Sequence, residues 1–315
     1  MTSSHAVIVG CGALGTVVAE LLARSGVGHL TLIDRDFVDL TNLQRQFLFD
    51  ESDAAEAIPK VIAAERRLRA INSEIMITSV VDDLRPRRAA EMLGHPDVII
   101  DGTDNFEARF LLNDYAVEHG IPWVYGAAVG TYGIAMPVLP GRTACFRCVF
   151  DAPPEGLQPT CETAGVLGPV TALIGSLQAG IALQILSGHT DAVRDMMTTA
   201  DLWNGPMRER PKPERDPDCP CCSHREFDWL NGKHDTPVSL CGRNAVQIHS
   251  ERGVIDLVAL KARLEPEGTV RSNDFALRFL LAPHELTIFR DGRAIIHGTQ
   301  DPAIARGLYA KWIGN

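Results

Sequence analysis

Two groups of residues in this 315-residue chain combine types and spacing that do chemistry. The first is a glycine turn, Gly10, Gly12 and Gly15, between a short apolar strand beginning at Val7 and a helix with Leu14, Val17, Val18, Leu21 and Leu22 on one side. Gly10 and Gly12 lack a Cβ, so the backbone turns sharply and approaches a phosphate, while Gly15 lets the helix pack on the strand. The backbone of Gly10, Gly12, Ala13 and Gly15, at a helix N-terminus with free N–H groups, is a candidate anion cradle. A second strand, His29 to Ile33, ends in Asp34, at the distance past the turn where a carboxylate accepts ribose hydroxyls. The opening unit therefore reads as nucleotide-binding, without saying which nucleotide. The second group is two CxxC pairs, Cys145/Cys148 and Cys219/Cys222, which together can complete a tetrahedral zinc site closed to water and hence structural, loose thiols being the alternative reading. Cys221, between the ligands of the second pair, offers an alternative register to Cys222.

Positioning these groups requires a sheet. Helices are expected over Lys60 to Ile71, Arg85 to Leu93 and Phe106 to Glu118, and strands over Ile75 to Val81, Val98 to Asp101 and Pro122 to Tyr125. Strands alternating with helices give an α/β, doubly wound, mainly parallel Rossmann-like sheet, with ligands at the carboxyl ends of the strands. Tyr132 to Leu139 reads as an antiparallel addition and Gly168 to Ser187 as a long apolar helix. The expected division is a nucleotide-binding domain over 1–204 carrying the first CxxC, a connector over 205–237 carrying the second, and a small α+β domain over 238–315. Within the connector, Asn204 to Pro220 is dense in proline and charge.

Apolar content of 45% and charged content of 22% suit a globular core. A formal charge of -10 argues against a general nucleic-acid or anionic-membrane binder while allowing a local basic patch. Met1 to His5 leave no room for a targeting peptide before the first strand, and no apolar run is read as spanning a bilayer without polar interruption, so a cytoplasmic protein with reduced thiols is expected.

Downstream of the turn the sequence becomes more specific. Asp36 is followed by Asn42-Leu43-Gln44-Arg45-Gln46, then Pro59-Lys60 opens a helix, and a strand ends in Asp101-Gly102-Thr103-Asp104-Asn105. With the glycine turn and the CxxC pairs, these residues resemble the MoeB/ThiF family, the adenylating branch of the ubiquitin-activating superfamily, over about Ala6 to Cys222. The resemblance implies ATP-dependent adenylation of the C-terminal glycine carboxylate of a small ubiquitin-like sulfur carrier ending in Gly-Gly, with a sulfur donor and a homodimer as further partners. It implies that Asp34 holds the ribose, that Asn42 and Arg45 reach the phosphates, that Lys60 neutralises them and that Asp104 holds Mg2+, with Asp36 and Asn105 also at the nucleotide. Carboxylate attack on an α-phosphate brings two anions together, so pre-placed cations are needed. Arg45 suits a forked contact, Lys60 a point charge and Asp104 a hard oxygen ligand.

Cys161, in Pro159-Thr-Cys-Glu-Thr-Ala-Gly165, resembles the family's cysteine loop, which carries the carrier as a thioester or acyl persulfide in some members and is dispensable in others. The family's acid often lies two residues after that cysteine, whereas Glu162 follows directly here. Relatives usually begin with a helix carrying an arginine that reaches the partner subunit's ATP; this chain has no arginine before Arg24, and Ala54 to Ile58 fill a slightly longer loop where a glycine is usual. Leu240 to Ile248 and Phe289 to Arg293 resemble an appended domain of some ThiF-like proteins, without the CxxxxR-type loop of a rhodanese. Cys11 and Cys241 read as small packed residues. Two other readings stay open: a nicotinamide- or flavin-dependent oxidoreductase, from the glycine turn alone, and a non-catalytic carrier-binding protein, from the missing arginine.

Overall fold

The computed structural model describes residues 1–154, 164–234, 239–240, 245–248, 254–290 and 292–314. They belong to two compact units, Met1–Asp235 and Thr236–Asn315.

The first unit runs β1 (His5–Val9), α1 (Gly15–Arg24), β2 (His29–Ile33), α2 (Glu51–Ala55), α3 (Lys60–Ile71), β3 (Met76–Val80), α4 (Ala89–Leu93), β4 (Val98–Asp101), α5 (Phe106–His119), β5 (Trp123–Val129), β6 (Tyr132–Val138), α6 (Phe146–Val149), α7 (Gly168–Leu186), β7 (Met196–Asp201) and β8 (Arg208–Pro211). Its eight-stranded sheet is ordered β3-β2-β1-β4-β5-β6-β7-β8. Pairing is parallel from β3 to β5 and antiparallel from β5 to β8. The order reverses between β1 and β4, and the crevice at such a switch point is where open α/β sheets hold ligands. β4 is buried at every residue, as a parallel strand covered on both faces must be. One core, around Leu22, Val61 and Ala182, lies on one side; another, around Phe110, Trp123 and Phe146, lies on the other.

Close helix packing depends on small residues. A Cβ on Gly175 of α7 would come within 2.8 Å of the Val17 Cβ, so α7 lies against α1 only because that atom is missing. By length and composition α7 is also a helix that could cross a membrane, unlike the expectation of no such run, and half of its apolar window is buried within the protein. It buries Gln178, which donates to the carbonyls of Asp101 (2.7 Å) and Val124 (3.2 Å) and so ties α7 to the ends of β4 and β5.

The fold class expected from the sequence is the one found, with local differences. The segment expected over Arg85 to Leu93 as one helix is a 3-10 turn, Pro86–Arg88, followed by α4. The proline-rich segment from Asn204 contains β8, an edge strand whose four residues are all exposed. Its sequence therefore carries no apolar alternation to read, and Pro211 sits at its end, where an edge strand tolerates a missing N–H.

The second unit comprises β9 (Ser239–Leu240), β10 (Ala245–Ile248), α8 (Leu257–Leu264), β11 (Thr269–Ser272), β12 (Ala276–Leu281), β13 (His284–Phe289), β14 (Ala294–His297) and α9 (Pro302–Trp312). It is an antiparallel sheet ordered β11-β12-β13-β14-β10-β9, with a core that includes Leu260, Phe279, Ile288 and Tyr309.

Candidate nucleotide and metal sites

Three chain segments converge at the switch point. Gly10 has φ +91°, and a Cβ there would lie 2.4 Å from the Gly102 carbonyl oxygen, while one on Gly15 would lie 1.9 Å from the Gly10 carbonyl oxygen. The turn is thus compressed between its own helix and the loop after β4, a geometry open only to glycine. Gly12 is different: its nearest neighbour would be Gln46 Nε2 at 3.8 Å, leaving space above the turn. Asp34 accepts from the Cys11 N–H through Oδ2 (2.7 Å) and from the Asp36 N–H through Oδ1 (2.7 Å). One N–H of the turn therefore orients the carboxylate instead of facing a phosphate, and each carboxylate oxygen retains a lone pair for a hydroxyl. Burial pushes the Asp34 carboxyl up, against the nearby Lys60 charge.

Lys60 opens α3 and is buried, with Nζ 3.1 Å from Asp36 Oδ2 and its backbone N–H donating to the Asp36 carbonyl (2.9 Å). Arg45 is likewise buried. It donates through Nη1 to the Thr41 carbonyl (3.0 Å) and through Nη2 to Asn42 Oδ1 (2.9 Å), which also accepts from Gln46 Nε2 (3.2 Å). The turn carrying Asn42 and Arg45 abuts the first residue of α7, since a Cβ on Gly168 would lie 2.8 Å from the Gln44 carbonyl oxygen.

Asp104 is exposed in the loop after β4, next to β1 in the sheet. Asn105 accepts from the Ala108 N–H (2.8 Å), so its side-chain oxygen caps α5. Two residues of this region were absent from the expected set. Gln46 is 4% exposed, and its Oε1 has no hydrogen-bond partner among the described residues. Arg109 is buried with Nε 3.2 Å from Asp101 Oδ2 and Nη2 2.7 Å from the Thr103 carbonyl, its guanidinium 5.3 Å from the centroids of Phe106 and Tyr125. Gln46 stands in the Asn42–Gln46 motif, whereas Arg109 lies on a helix whose polar and apolar residues are not sorted to separate sides, so nothing local in the sequence marked it.

The cysteine pairs also meet. The Sγ atoms of Cys145, Cys148, Cys219 and Cys222 lie within 4.8 Å of one another, with nearest separations of 3.8, 3.7 and 3.5 Å. Tetrahedral metal–sulfur bonds of ~2.3 Å require sulfur–sulfur edges of about 3.8 Å, so this donor set fits a tetrahedral ion. Cys222, and not Cys221, completes the group. Cys221 is fully buried beside it, and a hydrogen bond from Cys221 is the main reason the Cys145 thiol is pulled down to about 4. Asn113 of α5 lies with Nδ2 3.7 Å from Cys145 Sγ and 3.2 Å from Cys221 Sγ, and accepts from the Phe146 N–H at 2.8 Å. Such outer partners orient metal ligands. Lys212 straps the following segment down by donating to the carbonyls of Pro137 (2.6 Å) and Ala144 (3.1 Å) while pairing with Asp195. Cys161 and Glu162 lie outside the described residues, as does Cys241.

A family model described as the ThiF family matches residues 1–221, which contain the nucleotide site and three of the four clustered cysteines, Cys222 being the next residue. The chain belongs to the ThiF family. Among relatives, it is 42% identical over 318 residues to the sulfur carrier protein ThiS adenylyltransferase of Bacillus subtilis, a match covering 100% of this chain and 94% of the relative. It is 36% identical to the sulfur carrier protein adenylyltransferase of Thermus thermophilus, over 69% of this chain and 81% of that one. It is 34% identical to the SAMP-activating enzyme E1 of Haloferax volcanii, over 73% of this chain and 84% of that one. Among solved structures, E. coli MccB superimposes with a TM-score of 0.62 at 23% identity, covering 70% of this chain and 68% of MccB, and shares its fold. The ThiF-family assignment thus agrees with the resemblance read from the motifs.

Proposed function

We propose that this ThiF-family chain is an adenylyltransferase that activates the C-terminal glycine carboxylate of a small ubiquitin-like sulfur carrier, using ATP and releasing pyrophosphate. The observation that carries this reading is the match along the whole chain to a ThiS adenylyltransferase, together with the convergence of the glycine turn, the Asn42–Gln46 turn, Lys60 and the Asp101–Asn105 loop on one sheet edge. The carrier carboxylate oxygen attacks the α-phosphorus, a new carboxyl–phosphate bond forms, and the bond to the bridging oxygen of pyrophosphate breaks. Asp34 accepts ribose hydroxyls. Gly10, Gly12, Ala13 and Gly15 give the phosphates access to the backbone. Arg45, held in a fork geometry by Thr41 and Asn42, faces phosphate oxygens, and Lys60 exchanges Asp36 for the phosphates as charge accumulates on the leaving group. Asp104 holds Mg2+, which supplies charge neutralisation at the phosphates.

The four thiolates hold Zn2+ in a structural role, a site that calls for the reducing interior of a cell, and we place the enzyme in the cytoplasm as a homodimer. Cys161 receives the activated carrier, and a sulfur donor completes the transfer. The test is ATP–pyrophosphate exchange by purified protein with candidate carriers ending in Gly-Gly. Exchange that depends on a carrier supports the reading, and tight NAD binding or a flavin spectrum without exchange favours an oxidoreductase.

A further inference from the structure

The middle of α7 carries an amide that the chemistry described above does not use. Gln178 is fully buried, and Nε2 donates to two carbonyls, those of Asp101 (2.7 Å) and Val124 (3.2 Å). Its Oε1 accepts no hydrogen bond among the described residues. The amide still has only one workable orientation, because turned over it would set its oxygen against two carbonyl oxygens. A buried acceptor without a donor is costly, and the two donated bonds are what offset that cost.

The two carbonyls lie where the sheet opens. β4 pairs with β1 as far as Asp101, but with β5 only as far as Ile100 and Val124. The Gln178 amide stands in this split. Room for it comes from Gly126 of β5, since the three atoms nearest to a Cβ there, at 2.4 to 2.6 Å, are Cδ, Nε2 and Oε1 of Gln178. Gly126 has no positive φ, so space and not backbone conformation demands the glycine.

Beyond the split the chain enters the loop that carries Asp104, and Asp101 is the point from which that loop is held. Its Oδ1 accepts from the Thr103 N–H (2.8 Å) and hydroxyl (2.7 Å), its Oδ2 from Arg109 Nε (3.2 Å) and its carbonyl from Gln178. Thr103 and Arg109 belong to the loop and to the helix after it, whereas Gln178 comes from an element far along the chain. α7 also meets the other turn of the candidate site. Gly168 at its start abuts the Gln44 carbonyl, and Gly175 packs on Val17 of α1. Ten residues, or about 15 Å of helix, separate Gly168 from Gln178, so one element spaces the Asn42–Gln46 turn from the Asp101–Asn105 loop.

We propose that Gln178 is a positioning residue for adenylation: by holding the Asp101 carbonyl in the split it fixes where the following loop leaves the sheet, and so where Asp104 stands relative to Arg45. This rests on the adenylation reading above. Gln178 itself touches neither nucleotide nor carrier. Its loss shifts the carboxylate that holds Mg2+ and leaves the glycine turn and Asp34 as they are, so binding of the Mg2+-triphosphate weakens while binding of AMP does not.

The experiment is calorimetry on the full chain with AMP and with a non-hydrolysable ATP analogue, the latter with and without Mg2+, alongside pyrophosphate exchange with a Gly-Gly-ending carrier. The proteins are the wild type, Gln178→Leu, Gln178→Glu and Gly126→Ala. Leucine fills the volume without a donor, glutamate keeps the shape with at most one hydrogen to donate, and alanine at 126 pushes the amide out of the split. In each variant the affinity gained by adding Mg2+ to the analogue is expected to fall at least fivefold and the Mg2+ needed for half-maximal exchange to rise by a similar factor, with AMP affinity unchanged. A lower melting temperature with the wild-type gain from Mg2+ makes Gln178 a structural amide and overturns the proposal, as does an equal loss of affinity for AMP and the analogue. Should Gln178→Leu fail to fold, Gln178→Glu and Gly126→Ala carry the same comparison. Absence of any carrier-dependent exchange by the wild type overturns the adenylation reading, and calorimetry, which needs no carrier, then decides the role of Gln178 separately.

Discussion

Arg109 Nε lies 3.2 Å from Asp101 Oδ2, and both side chains are buried directly beneath the loop that carries Asp104. The same guanidinium holds the Thr103 carbonyl, so one cation fixes both ends of the turn leading into Asp104. Leaving a buried carboxylate without its partner costs about 3–5 kcal/mol. Arg109→Ala is therefore expected to lower the melting temperature clearly and to raise the Mg2+ concentration needed for half-maximal exchange. Arg109→Lys, which keeps the charge and loses the fork, should restore stability more than Mg2+ dependence. Thermal melts and Mg2+ titrations at saturating ATP read the two effects separately.

The Lys60–Asp36 pair makes a different prediction, because in the proposed site the ammonium exchanges Asp36 for phosphate. Removing one cation from a water-poor phosphate site costs about 3 kcal/mol, roughly a hundredfold in rate. Lys60→Ala is expected to lose that much exchange activity. Asp36→Asn should weaken the competing pair without removing the cation, tightening the triphosphate relative to AMP in a calorimetric comparison. Equal affinities in wild type and Asp36→Asn would show that the pair does not compete with the nucleotide.

Gly10 and Asp34 of the candidate site were legible from local pattern, because a glycine turn and an acid at the ends of β1 and β2 follow from the strand–turn–helix order. Arg45, Lys60 and Asp104 were expected only through the resemblance to the MoeB/ThiF family, since a single charge in a loop or at a helix start carries no local signal of its own. Arg109 and Gln178 were not legible as site residues. Arg109 projects from a helix of mixed polarity and Gln178 from the long apolar one, and their partners, Asp101 and the carbonyls of Asp101 and Val124, are reached only when the helices cross the sheet. β8 escaped for the opposite reason, since an exposed edge strand hides no apolar face. Cys221 against Cys222 was a question of side-chain direction, which spacing does not encode.

Stability should fall on the acid side through a histidine pair far from the chemistry. His5 stacks on His29 with ring centroids 3.9 Å apart, and burial, then the neighbouring His29, holds His5 down at about 4. An unfolded histidine titrates near 6.5, so between these values the unfolded chain binds the extra proton and stability rises with pH. The contribution is full above about pH 6.5 and is lost as the pH falls towards 4. Because His5 is only half-buried, its size is on the order of 1 kcal/mol. Denaturant melts between pH 7.5 and 4.5 should show a shallower acid slope in His5→Gln than in the wild type. Parallel slopes would remove His5 from the account.

The metal site should respond to each cysteine according to its geometry. Structural zinc contributes on the order of 10 kcal/mol of apparent binding free energy, comparable with a domain's whole stability. Cys148→Ser and Cys222→Ser are expected to lose zinc content and melting temperature together. Cys221→Ala, outside the four-sulfur group, should retain one ion per chain and release it faster to a chelator, having lost a hydrogen bond to Cys145. Full metal loss in Cys221→Ala with retention in Cys222→Ser would reverse the assignment of the ligands.

The central claim is that this sheet edge joins a carrier's terminal carboxylate to the α-phosphate of ATP, with Arg45, Lys60 and Asp104 facing the phosphates. Intact mass spectrometry of a Gly-Gly-ending carrier incubated with the protein, ATP and Mg2+ tests it most directly. The account predicts a carrier that gains one adenylyl group at its C-terminal glycine, persisting when pyrophosphate is removed, and a loss of about a hundredfold or more in its rate of formation with folded Asp104→Ala. Adenylate formed at the wild-type rate by Asp104→Ala, or no adenylate from any such carrier by the wild type, would contradict it.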